Sequence, residues 1–308
     1  MSLAFVFPGQ GSQSVGMLAE LGEKYSVVRE TFAQASEVLA FDLWELVQQG
    51  PEAELNDTAN TQPAMLAAGV AIWRLWQEMG GERPVLMAGH SLGEYTALVS
   101  AGALDFQEAV GLVRDRGRYM QEAVGPGEGA MAAILGLDDE TVIALCKQAA
   151  RGEAVAAVNF NSPGQVVIAG TSAAVERAVA LAKEEGAKRA IVLPVSVPSH
   201  CELMGDAAKR LEKRLDEVTL RSPAIPVINN VDVREEQTPT AIRSALVRQL
   251  YSPVRWVEIV RYLSAQGVDR LVECGPGKVL AGLNRRIDRG MTVFPVFDEG
   301  SLQNAIER

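Results

Sequence analysis

The stretch Ala88–Leu98, AGHSLGEYTAL, sets one serine between two glycines, with the apolar run VLMA leading in and a helical run leading out. G-x-S-x-G in a strand–turn–helix setting is the pattern of a nucleophile elbow, a sharp turn that holds a serine hydroxyl out from the end of a sheet. A turn that tight needs neighbours without bulky Cβ groups, and the start of the following helix aims main-chain N–H groups at the serine oxygen. A glycine-rich turn with an incidental serine would carry the same five letters. The surroundings of Ser91 therefore have to decide between the two.

Working outward, Val85–Ala88 reads as a strand buried on both faces, and Glu94–Ala101 reads as a helix. The chain opens with a strand at Leu3–Phe7, a loop PGQGSQSVG and a helical stretch from about Met17. A long helix is expected over Gln62–Met79 with Pro63 in its first turn, and Asp105 caps another over DFQEAVGLVRDRGRYMQEAV. A break in composition follows at GPGEG, residues 125–129. Beyond it, MAAIL, DDETVIALCKQAA, VAAVNF, QVVIAG, TSAAVERAVALAKEEG and KRAIVLPV read strand, helix, strand, strand, helix, strand. That βαββαβ order is the ferredoxin-like pattern. The block at 126–195 is therefore expected to be an insert within a larger α/β domain made of 1–125 and 196–308. In the larger domain, strands such as IPVIN and RLVEC between helices fit a mainly parallel sheet.

Composition narrows the function. The net charge of −10 opposes nucleic acid and other polyanions at long range, so an acidic partner has to meet a local basic patch. Cys146, Cys201 and Cys274 are odd in number and lack metal-ligand spacing, which points to a reducing compartment without disulfides. The opening LAFVF is too short for a signal segment, and AMLAAGVAIW meets Arg74 far short of membrane-spanning length. A cytoplasmic protein without membrane or nucleic-acid partners is expected; composition leaves self-association open, with a monomer favoured.

A serine hydroxyl needs a base within hydrogen-bond reach before it can attack. Only two histidines are present. His90 is adjacent to Ser91, and neighbouring side chains at such a turn point in different directions. That leaves His200 as the expected base. The developing oxyanion needs donors, of which the N–H of Leu92 is one and the glycine-rich loop around Gln10 the best source of the second. The same loop lacks GK[ST] and misses G-x-G-x-x-G, so a nucleotide-binding reading is weak. On the helix after Asp105, Phe106, Val110, Val113, Gly117 and Met120 form one stripe at about 100° per residue. Arg114 and Arg116 flank it on opposite borders, and helical geometry does not choose which of them reaches inward.

Taken together, FVFPGQGSQ (5–13), TQPA (61–64), GHSLGE (89–94), RG (116–117), NFNSPGQVVIAG (159–170), PVSVPSH (194–200) and ECGPGKVL (273–280) resemble the malonyl-CoA:acyl carrier protein transacylase family, in the family's order and over essentially the whole chain. The resemblance implies a hydrolase-like α/β domain carrying a ferredoxin-like insert. It implies ping-pong malonyl transfer from malonyl-CoA to acyl carrier protein for fatty acid synthesis, with no metal or other cofactor. Ser91 would carry the malonyl group, His200 would be its base, and the amides of Gln10 and Leu92 would form the oxyanion hole. It selects Arg116 as partner of the malonyl carboxylate, places the carbonyl that orients the histidine at Gln249, and puts Gln62 in the pocket. Lys188, Arg189, Lys278, Arg285 and Arg286 are candidates for a basic rim facing the anionic carrier. The competing readings are a discrete polyketide-type acyltransferase, a serine esterase or thioesterase, and a non-catalytic CoA- or nucleotide-binding module.

Overall fold

A computed structural model describes residues 2–195 and 197–308. Met1 and Ser196, which begin the two expected segments of the larger domain, lie outside the described residues. Strand β1 (Ser2–Phe7) is followed by helices α1 (Ala19–Lys24), α2 (Ser26–Leu39), α3 (Leu43–Gln49), α4 (Glu52–Leu55) and α5 (Thr58–Glu78). Strand β2 (Leu86–Gly89) leads into α6 (Leu92–Ser100) and α7 (Phe106–Glu122). Then come β3 (Gly129–Leu135), α8 (Asp139–Ala150), β4 (Val155–Ser162), β5 (Gln165–Thr171), α9 (Ser172–Glu184) and β6 (Arg189–Val192). The chain continues with α10 (Gly205–Asp216), β7 (Val227–Ile228), α11 (Pro239–Gln249), α12 (Trp256–Ala265), β8 (Val268–Cys274), α13 (Val279–Ile287), β9 (Thr292–Val296) and α14 (Glu299–Ile306).

Five strands form a parallel sheet in the order β7-β2-β1-β8-β9. β1 is central, and its LAFVF run is buried throughout, as a strand covered on both faces requires. Leu3, Phe5 and Phe7 enter one core with Trp73 and Trp76 of α5, while Ala4 and Val6 enter the other with Trp256 and Ile259 of α12. Phe5 meets the edges of Trp73 and Trp76 at ring separations of 5.3 and 5.1 Å.

Helix α5 begins earlier than the sequence suggests. Asp57 caps it by accepting from the N–H of Ala59 at 2.9 Å, so the helix starts at Thr58 and Pro63 sits inside it. Proline costs most deep in a helix; here the capped turns ahead of it hold the conformation, and Thr61 Oγ1 adds bonds to the carbonyls of Leu55 and Asp57.

The second sheet is antiparallel, in the order β4-β5-β3-β6. Numbered within the block this is 2-3-1-4, the ferredoxin-like arrangement, with α8 and α9 packed on one face around Ile134, Val142, Ile168 and Val175. Its other face places Met131, Val158, Val167 and Ala169 against Cys201. Main-chain bonds from Phe160 N–H to Val254 O (3.0 Å) and from Val254 N–H to Val158 O (2.8 Å) stitch the insert to the larger unit. We propose residues 126–195 as its extent.

Candidate active site

The loops that follow β1 and β2 meet at the upper end of the sheet, and glycines make the meeting close. A Cβ on Gly89 would lie 1.9 Å from the carbonyl of Gly93, and one on Gly93 would lie 2.0 Å from Phe7 O. One on Gly9 would lie 2.5 Å from His90 O. Between Gly89 and Gly93 stands Ser91, with φ +52° and ψ −108°, a backbone conformation that L-residues avoid. The side chain of Asn230, just past β7, clasps this turn: Oδ1 accepts from Ser91 N–H at 2.7 Å and Nδ2 donates to Gly89 O at 2.7 Å.

His200 arrives from the segment after the insert. Helix α11 ends at Gln249, and the last carbonyls of a helix have no partner within it. His200 uses them: its main-chain N–H donates to Leu250 O at 2.9 Å, and its Nδ1–H donates to Gln249 O at 2.7 Å. Spending the Nδ1 proton there leaves Nε2 as acceptor, and Ser91 Oγ donates to it at 2.7 Å. Burial, with the Arg116 charge second, pulls the imidazole down to about 3, so it is neutral and ready to take a proton.

Arg116 of α7 is 1% exposed and points into the same place. Its Nη1 donates to Gln62 Oε1 at 2.8 Å, and its Nη2 donates to Gln249 Oε1 at 3.1 Å and to Ser91 Oγ at 3.2 Å. The guanidinium lies over the Tyr95 ring, 5.3 Å from its centroid. Arg114, on the other border of the helix stripe, instead donates to Leu39 O and covers the ring of Phe41. What each border faces decides between them.

Ser91, His200, Arg116, Gln62 and Gln249 are thus brought together. The N–H of Leu92 is the first of α6, and the N–H of Gln10 lies in the turn after β1. Among the described residues neither has a hydrogen-bond acceptor. The Gln10 side chain donates to Thr58 Oγ1 at 3.3 Å. His90 turns away to Asn161 Oδ1, 2.8 Å from Nε2. Lys188, Arg189, Lys278, Arg285 and Arg286 are all exposed, with Arg285 tied to Val293 O and Arg286 to Gln165.

Three residues of the site escaped the sequence reading. Asn230 carried no signal beyond a polar pair closing the strand-like run IPVINN. Glu94 belongs to GHSLGE, but an acid in a first helical turn ordinarily faces water; here it is 3% exposed and accepts from Asn230 N–H at 2.9 Å and Gln249 Nε2 at 2.7 Å. Burial pushes its carboxyl up to about 7. The Gln249 side chain went unnoticed beside its carbonyl.

Comparison with known proteins identifies the family of the chain. Residues 4–289 match the family model described as acyl transferase domain. A malonyl CoA-acyl carrier protein transacylase of Haemophilus influenzae is 61% identical over 305 residues, 99% of this chain and 97% of that protein. One of Escherichia coli strain K12 is 58% identical over 304 residues, 99% and 98% of the two chains. Among solved structures, the malonyl CoA-acyl carrier protein transacylase of Coxiella burnetii superposes with a TM-score of 0.99 at 55% identity, covering 100% of this chain and 98% of that one. A malonyl-transacylase in complex with its holo type II PKS acyl-carrier protein gives a TM-score of 0.99 at 59% identity, covering 100% and 99%. The chain belongs to the acyl transferase domain family, among the malonyl CoA-acyl carrier protein transacylases.

Proposed function

We propose that this protein transfers the malonyl group of malonyl-CoA to the phosphopantetheine thiol of acyl carrier protein through an ester on Ser91, supplying fatty acid synthesis. The observation that carries the reading is Ser91 Oγ held 2.7 Å from the neutral Nε2 of His200 and 3.2 Å from the guanidinium of a buried arginine. The first two groups make a nucleophile and its base. The third supplies a fixed positive charge where an acyl chain ending in a carboxylate would lie.

In the forward half-reaction Nε2 of His200 takes the Ser91 proton as Oγ attacks the thioester carbonyl. The Gln10 and Leu92 amides hold the oxyanion, and collapse of the tetrahedral adduct breaks the C–S bond. The thiolate of CoA leaves with the proton from His200. In the second half-reaction the carrier thiol gives its proton to His200, attacks the ester, and Ser91 leaves with that proton. An oxyanion donor of this kind contributes about 3–4 kcal/mol. A thioester is already activated, so the chemistry calls for no metal, flavin or nucleotide cofactor. Arg116 pairs with the malonyl carboxylate, Gln62 and Gln249 hold Arg116 in place, and the Gln249 carbonyl fixes the histidine tautomer.

The exposed Lys188, Arg189 and Lys278 are the better candidates for meeting the anionic carrier, since Arg285 and Arg286 are already engaged. Three free, buried cysteines support a reducing, cytoplasmic location. Among the described residues no helix is long and apolar enough to cross a membrane. A monomer is the proposed state.

Incubation with malonyl-CoA should add one malonyl mass to the intact chain, and Ser91→Ala should abolish it; a labelled Ser91→Ala would overturn the assignment. A chase of the labelled enzyme with carrier protein should remove the mass far faster than buffer alone. Fast loss in buffer would mean that water is the acceptor and that the protein is a thioesterase. The relative solved with a type II PKS carrier protein makes polyketide supply the second reading. Chasing with carriers of both kinds separates the two. Arg116→Ala should lower malonyl loading by about 100-fold or more while an acetyl donor gains relative to it.

A further inference from the structure

A guanidinium as buried as Arg116 is ordinarily matched by a carboxylate, because an unpaired charge inside a protein costs several kcal/mol. Among the described residues Arg116 makes no ion pair. Among the described residues its acceptors are two amide oxygens, Gln62 Oε1 and Gln249 Oε1, and one hydroxyl, and its buried Nε has no partner. A carboxylate is nevertheless close by. Glu94 lies one side chain further along, and the amide of Gln249 stands between them, its oxygen toward Arg116 and its nitrogen toward Glu94.

We propose that the Gln249 side chain, oriented by Glu94, is a specificity-determining insulator: it solvates the Arg116 cation without neutralising it, so that the charge stays available to a carboxylate on the acyl group. The inference rests on the malonyl reading of the site and deepens it. A glutamine amide can face either way, and here three contacts set its direction. Nε2 donates to Glu94 Oε2 at 2.7 Å and to Ser91 O at 3.1 Å, while Oε1 accepts from Arg116 at 3.1 Å. Rotating the amide would set NH₂ against the guanidinium and oxygen against two oxygens, so all three contacts would turn repulsive. Glu94 is itself kept off Arg116, because Oε2 is occupied by Asn230 N–H and by the amide. Gln62 performs the same neutral solvation on Nη1, and Tyr95 does so on the ring face. Glu94 acts through Gln249 and is a positioning residue.

The proposal concerns discrimination, so its test is a ratio. Acyl-enzyme formation is timed with malonyl-CoA and with acetyl-CoA for the wild type, Gln249→Glu, Gln62→Glu and Glu94→Gln, and the ratio of kcat/KM for the two donors is compared. Either new acid supplies Arg116 with a resident counter-charge that a malonyl carboxylate has to displace. The ratio should therefore fall by about 100-fold or more in both variants. Gln249→Glu keeps the main-chain carbonyl that orients His200, and acetyl loading reports whether that arrangement survives. Glu94→Gln removes the group that fixes the amide direction and should lower the ratio by a smaller factor, about 5- to 10-fold. Should Gln249→Glu fail to fold beside Glu94, Gln62→Glu decides by the same ratio. Equal losses for both donors, or an unchanged ratio, would overturn the insulator. A wild type that loads acetyl as readily as malonyl would overturn the functional reading and this inference with it.

Discussion

Two strand-to-helix turns lie on either side of β1, one from β2 into α6 and the other from β8 into α13. Both are rich in glycine, and each carries a buried glutamate pushed up to about 7 by burial. They differ in what that glutamate does. In the β8 turn, Glu273 accepts from Leu280 N–H at 2.9 Å and Ala281 N–H at 2.6 Å, so the start of α13 is filled by the protein's own carboxyl group. In the β2 turn, Glu94 faces away to Asn230 and Gln249, and the first N–H of α6 stays open beside Ser91. Positive φ falls on glycines in the one, Gly275 and Gly277, and on the serine in the other. The first turn is finished and serves as support, with Gly275 packed close against Pro8 at the root of the loop that carries Gln10. The second is left unfinished where a substrate can complete it.

The two turns differ most in what their glycines tolerate. Gly89→Ala and Gly93→Ala would drive a Cβ to within 2.0 Å of main-chain atoms that have nowhere to move, so a loss of more than about 4 kcal/mol is expected. Neither variant should accumulate as folded protein. Gly277→Ala meets nothing nearer than Ser12 O at 3.7 Å and suffers only from its φ of +76°, a cost of about 1 kcal/mol. Thermal melts of the soluble fractions compare them. A stable Gly93→Ala would show that the two loops are not pressed together as described.

The two glutamates give the next effect. Each carboxyl is raised from 4.5 to about 7 in the fold, so between those values the folded chain binds a proton that the unfolded chain has released. Stability from each is therefore fully present below pH 4.5 and is lost as pH rises through 7, by about 3 kcal/mol. His200 runs the other way: held at about 3 against an ordinary 6.5, it loses stability as pH falls below 6.5. The opposing trends make wild-type curves hard to read, whereas differences isolate each carboxyl. Urea unfolding at pH 5 and pH 7.5 should show Glu94→Gln and Glu273→Gln each removing its share of the fall in stability with pH. Only Glu94→Gln should also alter the choice between malonyl and acetyl donors. An unchanged pH slope in Glu94→Gln would mean that this carboxyl titrates as it does in water.

Much of this was legible in the chain itself, because the signals were local. GHSLG between an apolar run and a helical run, Asp105 before its helix, and the βαββαβ rhythm after GPGEG all depend on residues near one another in sequence. The resemblance to the transacylase family implied Gln249 and Gln62, which no spacing could have chosen. The start of α5 was misplaced because Pro63 suggested a first turn, while the aspartate that caps the helix stood six residues earlier. Arg114 and Arg116 were indistinguishable on the helix; the family resemblance selected Arg116, and in the fold the two differ in what packs against each border. Asn230 and Glu94 were illegible for the same reason: their roles exist only once β7 and α11 are laid beside the elbow.

The smallest effect isolates the strain itself. At φ +52° and ψ −108° a side chain crowds its own backbone, and the penalty for an L-residue in such regions is about 1–3 kcal/mol. Glycine escapes it but loses about 0.5–1 kcal/mol to its freer unfolded chain. Ser91→Ala and Ser91→Gly both delete the hydroxyl, so the bonds to His200 and Arg116 cancel between them. Ser91→Gly should then be the more stable of the two by about 1 kcal/mol in urea unfolding, although both are inactive. The same pair of residues exchanged at Gly277 should rank in the same direction, since the backbone there is also left-handed, yet no function is lost with the methyl group. If Ser91→Ala proved as stable as Ser91→Gly, the elbow would hold its serine without strain, and the difference between the two turns would reduce to the open N–H of Leu92.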